Sequence, residues 1–139
     1  MRVVKAVLDT NVIVSAHLKA EGREALILEL ALSGRFQLVV SEALLEECEG
    51  VLQRPRFDLD PVKIERSIQA IRKAALLVQP KKQLQVTRDP DDNKVLECAL
   101  EAGAEYVVTG NTRHFPKLFQ GILIIPPRQF LEILASFVE

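Results

Sequence analysis

The sequence predicts an α/β fold: a three-layer α/β/α sandwich around a mainly parallel sheet of four to five strands. Two observations predict it. Short apolar runs without polar alternation recur along the chain, as expected of strands buried on both faces. Between them lie segments of helical period with recognisable starts and stops, and strands alternating with helices build parallel sheets covered on both sides. The 139 residues are 48% hydrophobic, enough for one aliphatic core, so the chain reads as a single domain over 1–139.

The elements follow in order. Val3–Leu8 is a nearly continuous β run that stops abruptly at Asp9-Thr10-Asn11, which reads as a turn. Glu24–Leu32 has helical spacing and ends at Ser33-Gly34. Gln37–Val40 is a short strand, after which Ser41 caps a helix running to about Gln53. Pro61 starts a helix with Ile64, Ile68 and Ile71 on one face. Leu76–Val78 is a short strand closed by Pro80. Asp89-Pro90 opens a helix that reaches Ala102, and Gly103 stops it. Tyr106–Thr109 and Ile122–Ile125 are strands, and Arg128–Phe137 is a last helix.

Composition excludes several classes. Lys and Arg number 18 against 19 Asp and Glu, a formal charge of −1, so binding nucleic acid by bulk charge is excluded while local basic patches are not. No apolar run approaches the ~20 residues of a membrane span. Lys5 and Asp9 interrupt what would be the apolar stretch of a signal peptide. Cys48 and Cys98 lack CxxC spacing and fall within apolar helical patterns, as in core thiols of a reducing cytoplasm.

In such folds ligands bind beyond the carboxyl ends of the strands. Three acids converge there by independent arguments. Asp9 directly follows the first strand. On the helix after Ser41, Leu44, Leu45, Cys48, Val51 and Leu52 form the apolar stripe, and Glu47 borders it, whereas Glu46 points to solvent and Glu42 and Glu49 are off-centre. On the helix after Asp89, Asp92 projects from the face of Val95 and Ala99. Asp89 and Asp91 have structural explanations, as cap and as first-turn partner of the helix dipole, and Asn93 reads as solvated. Three close carboxylates require either a raised pKa or a compensating cation. Oxygen-only ligands suit Mg²⁺ or Mn²⁺, and the chemistry that follows is hydrolysis of a phosphate ester. If a cation compensates them, its ligands are Asp9, Glu47 and Asp92.

The ordered set VLDTNVIVSA, SEALLEECEGVLQRPRF, RDPDDNKVLECALEAGAEYVVTGN and GILIIPPRQFLEIL resembles the PIN-domain ribonucleases, and among them the VapC-like toxins of toxin–antitoxin pairs. The resemblance spans nearly the whole chain. It assigns the family's metal-binding acids to Asp9, Glu47 and Asp92, and its fourth position, usually Asp, to Asn111. Asn carries no charge, so a second metal would be held more weakly, or only with substrate phosphate. Thr10, Asn11 and Thr109 fall where they would orient the acids. The resemblance implies a metal-dependent endoribonuclease acting on single-stranded or structured RNA, a homodimer and a neutralising antitoxin protein.

An RNA substrate needs positive charge nearby. Arg113 and Lys117 follow Asn111, and Arg54 follows the Glu47 helix; Arg56, Lys81, Lys82 and Arg88 are further candidates. His114 has the chemistry of a general acid, but a single His beside Phe115-Pro116 reads more simply as structural. Two other readings stay open. One is a Mg²⁺-dependent phosphatase with Asp9 as nucleophile, against which stands Asn11 where such enzymes have a second Asp. The other is a degenerate PIN domain that binds RNA or protein without cutting, which Asn111 keeps alive.

Overall fold

The computed structural model describes residues 3–137. Its six-stranded sheet is built from β1 (Lys5–Leu8), β2 (Gln37–Val40), β3 (Leu76–Leu77), β4 (Tyr106–Val108), β5 (Leu118–Phe119) and β6 (Ile122–Ile125). The order across the sheet is β3-β2-β1-β4-β6-β5. All neighbours are parallel except β5 with β6. The α/β, mostly parallel class is as the sequence predicts. The extra strand is β5, whose two residues form a short hairpin with β6 through Gln120-Gly121, both at positive φ. Two residues are too few for any period-2 signal.

The helices are α1 (Thr10–Leu18), α2 (Arg23–Leu32), α3 (Glu42–Leu52), α4 (Pro61–Ala74), α5 (Pro90–Ala102) and α6 (Pro127–Ala135). Five of them match predicted helices to within a few residues. Their caps are the predicted ones: Ser41 Oγ accepts from Leu44 N, Asp89 Oδ1 accepts from Asp91 N, and Gly103 ends α5 at φ 63°. The sixth, α1, corrects the reading of Asp9-Thr10-Asn11 as a simple turn. Its run Val12-Ile13-Val14 is β-branched and a poor local helix former. Val12, Ile13, Val14 and Ala16 are all buried, and that tertiary burial overrides the local preference.

The sheet separates two apolar layers. Ala6, Leu8, Leu38, Val40, Val108 and Ile125 face a large cluster built with α1, α2, α4 and α6, where Phe36 and Phe130 meet edge to face at 4.9 Å between centroids. Val7, Val39, Val107 and Ile124 face a smaller cluster built mainly with α5, through Val95, Leu96, Cys98 and Ala99. The topology explains this division. From β1 the chain moves outward to β2 and β3, then returns to place β4 on the other side of β1. With right-handed crossovers, that reversal sends α5 to the opposite face. It also makes the boundary between β1 and β4 a switch point, where a crevice opens beyond the strand ends.

The segment from Val78 to Asp89 lies along α5 and has no regular structure of its own. Three α5 side chains four residues apart hold its backbone. Glu101 accepts from Lys81 N at 3.0 Å, Glu97 from Leu84 N at 2.9 Å, and Asn93 Oδ1 from Val86 N and Thr87 N at 3.1 and 2.8 Å. Asn93 Nδ2 in turn donates to Thr87 O at 3.2 Å. Asn93 is therefore buried, not solvated as its first-turn position implied.

Candidate active site

Asp9 and Thr109 occupy the switch point, one residue beyond β1 and β4. Asp9 N donates to Val108 O at 2.9 Å, continuing the ladder, while its carbonyl accepts from Val12 N and starts α1. Its side chain is the N-cap of that helix. Oδ1 accepts from Thr10 N at 2.8 Å, and Oδ2 accepts from Thr109 Oγ1 at 2.8 Å and Asn11 Nδ2 at 3.3 Å. Thr109, fully buried, also accepts from Asn111 N at 3.0 Å. Asn11 Oδ1 accepts from Gly110 N at 3.2 Å, tying the β4 loop to α1. Asp9 is 6% exposed, and burial raises its pKa; Thr109, Thr10 and His114 oppose that shift, and Asp89 adds to it.

Glu47 stands at the stripe border of α3, half-buried, while Glu46 is exposed. Thr10 Oγ1 donates to Glu47 Oε2. Thr10 thus links the first acid to the second, its N–H on Asp9 and its hydroxyl on Glu47. Burial also raises the Glu47 pKa, and the charge of Asp91, a hydrogen bond with Asp91 and the charge of Asp9 raise it further. Asp91, which the sequence accounted for as a dipole partner, therefore belongs to the acidic group; its Oδ1 also lies 3.6 Å from Lys94 Nζ.

Asp92 completes the group from the first turn of α5. Its pKa is raised by burial first, then by Asp9 and Asp89. Its nearest partner is His114, with Nδ1 3.6 Å from Asp92 Oδ2. The His114 side chain is 60% exposed and serves no core role, contrary to its reading as structural. Glu42 lies elsewhere, paired with Arg72 of α4 at 2.7 Å.

The remaining predicted residues are distributed as follows. Asn111 is exposed, held through its backbone N–H. Arg113 is exposed in the 3-10 turn Thr112–His114 and lines a cavity with Asp92; Lys117 is exposed just before β5. Arg54 lies beyond the end of α3, seven residues past Glu47, or about 10 Å of helical rise.

Among the described residues, no three His, Cys, Asp or Glu side chains close into a metal cage as they stand. The donor chemistry nonetheless fits a hard divalent ion. Asp9, Glu47 and Asp92 supply only carboxylate oxygens, and each raises or is raised by another's charge. A cation bound beside any of these carboxylates would favour its charged form.

The sequence profile of the PIN domain matches residues 5–113. An uncharacterized protein of Methanocaldococcus jannaschii, MJ1680, is 26% identical over 98% of this chain and 95% of its own length. The crystal structure of PAE2754 from Pyrobaculum aerophilum superposes with a TM-score of 0.64 at 17% identity, over 96% of this chain and 90% of that one, and so shares the fold.

Proposed function

The chain belongs to the PIN-domain family, a nuclease-type fold, and from that membership we propose that it is a Mg²⁺- or Mn²⁺-dependent endoribonuclease, the toxin of a toxin–antitoxin pair. The observation that carries the reading is the group of buried and part-buried acids at the β1–β4 switch point, with Asp9 clamped on both oxygens and its charge felt by Glu47 and Asp92. Asp9, Glu47 and Asp92 would hold the ion. When bound, such an ion compensates their charge, holds a phosphate oxygen and acidifies its water.

The chain's own residues prepare for this. Thr10 N–H, Thr109 Oγ1 and Asn11 Nδ2 fix the Asp9 carboxylate in one orientation. Thr10 Oγ1 fixes Glu47. His114 faces Asp92 from the open side, where a substrate enters. Exposed Arg113 and Lys117 follow on the chain and offer charge to the RNA backbone; Arg54 offers it farther off. The reading carries with it a homodimer, a neutralising antitoxin protein and a cytoplasmic location. No helix among the described residues is long and apolar enough to cross a membrane.

Asn111 favours a second reading, a PIN domain that binds RNA without cutting, because it brings no charge to the fourth position. The phosphatase reading is disfavoured by Asn11, which stands where such enzymes have a second Asp and is itself tied to Asp9 Oδ2 and Gly110 N. The experiment is cleavage of an RNA panel with Mn²⁺ or Mg²⁺. We expect cleavage that Asp9→Asn and Asp92→Asn abolish with the fold intact. RNA bound but uncut under these metals would establish the binding module, and phosphomonoester turnover with a phosphorylated Asp9 would establish the phosphatase.

A further inference from the structure

A cavity of about 690 Å³ opens beside Asp92, within the ~300–1,000 Å³ range of small-molecule sites. We infer that it is a subsite for one nucleotide next to the cleaved bond, with Arg88 and Arg113 taking its phosphate and Val86 and Pro116 its base. This rests on the nuclease reading above.

Two segments form the walls. One is the end of the strap along α5, carrying Val86 and Arg88; the other is the turn after β4, carrying Arg113, Phe115 and Pro116. Both are held in place. Asn93 makes three hydrogen bonds to the strap at Val86 and Thr87. The turn is closed by His114 N to Asn111 O at 3.0 Å and Phe115 N to Thr112 O at 3.2 Å, and Phe115 is buried beneath it. The walls are therefore preorganised, which lowers the entropy cost of binding.

The charge pattern identifies the ligand. Asp89 and Asp92 line the same cavity as the two arginines. Yet neither Arg88 nor Arg113 pairs with a carboxylate among the described residues. Two exposed guanidiniums left free beside available acids keep their forked donors for an external anion, and a phosphate matches that fork. Val86, 40% exposed, and half-buried Pro116 supply apolar surface to the same cavity. Anionic and apolar recognition side by side fits a nucleotide better than inorganic phosphate. A base accommodated there must leave its stack, so the substrate class is single-stranded RNA.

The test is titration of the full chain in EDTA with the four nucleoside 5′-monophosphates, read by calorimetry and by the amide shifts of Thr87, Arg88 and His114. EDTA separates binding from cleavage. Arg88→Ala and Arg113→Ala should each weaken nucleotide binding about tenfold, the scale of one charge-assisted hydrogen bond. The same nucleosides without phosphate should bind equally to the variants and the parent. On RNA, Arg88→Ala should raise KM and leave kcat within about twofold, the signature of lost binding common to ground and transition states. Nucleotides that do not bind, or bind both variants as tightly as the parent, overturn the subsite while RNA cleavage still stands. Nucleotide binding that needs both arginines, without cleavage of any RNA, keeps the nucleotide site but overturns the nuclease and, with it, the site's place beside a cleaved bond.

Discussion

Replacing Thr109 with Val tests the clamp on Asp9 directly. The two side chains have nearly the same shape, and the site is fully buried, so the change removes a hydroxyl and little else. That hydroxyl donates to Asp9 Oδ2 at 2.8 Å and accepts from Asn111 N at 3.0 Å. A hydrogen bond to a charged acceptor is worth about 1.5–3 kcal/mol, against about 1 kcal/mol for a neutral one. Asn111 is exposed, so water replaces the lost acceptor and the second bond adds little. The cost should therefore be about 1.5–3 kcal/mol when Asp9 is ionised and about 1 kcal/mol when it is protonated. The sign with pH follows from linkage. Burial raises the Asp9 pKa above its ordinary 3.8, so the native state holds the proton more tightly than the unfolded chain. Stability of the metal-free protein thus falls as pH rises from 3.8 through the higher native pKa. Thr109 opposes the raised pKa, so Thr109→Val lifts it further and extends that window upward. Glu47 and Asp92 are also raised and shape the curve of both proteins; the difference between the two curves isolates Asp9. Urea unfolding in EDTA between pH 4 and 8 measures it. A stability loss that is the same at every pH would refute the coupling of Thr109 to the Asp9 charge.

Three further outcomes are expected. Asn93→Ala frees two strap amides and should cost about 1–3 kcal/mol, with faster hydrogen exchange at Val86 and Thr87 than in the parent; unchanged exchange there would mean the strap is held by other contacts. Cys48 and Cys98 are buried, and burial pushes each thiol pKa up to about 12, so neither should react with a thiol reagent at pH 8 until the protein unfolds; rapid native labelling would contradict their placement. Asn111→Asp adds the charge missing beside the acid group, so Mn²⁺ affinity by calorimetry should rise; an unchanged affinity would put Asn111 outside the ligand shell.

Local signals were legible because they are written within a few residues. Ser41, Asp89 and Gly103 announce helix ends by chemistry that acts over one turn. Glu47 was separable from Glu46 because helical periodicity alone says which borders an apolar stripe. The position of Asp9 at a strand end needed only the abrupt end of a β run.

What escaped was non-local. Helix α1 forms against its β-branched sequence because four of its residues are buried by elements far along the chain. Asn93 looks like any first-turn amide until the strap folds back across α5 and offers it three backbone groups. Asp91 looks like a dipole partner until α3 and α5 pack and bring it to Glu47. Residue types and facing directions are properties of the chain itself, and from them came an acidic, oxygen-only group at one sheet edge. The strand order decided the rest. Placing β4 beside β1 sets Thr109 on Asp9 across a separation of 100 residues, and the strap and the β4 loop meet around a cavity beside Asp92. No local propensity encodes that adjacency, because it comes from burying both faces of one sheet at once.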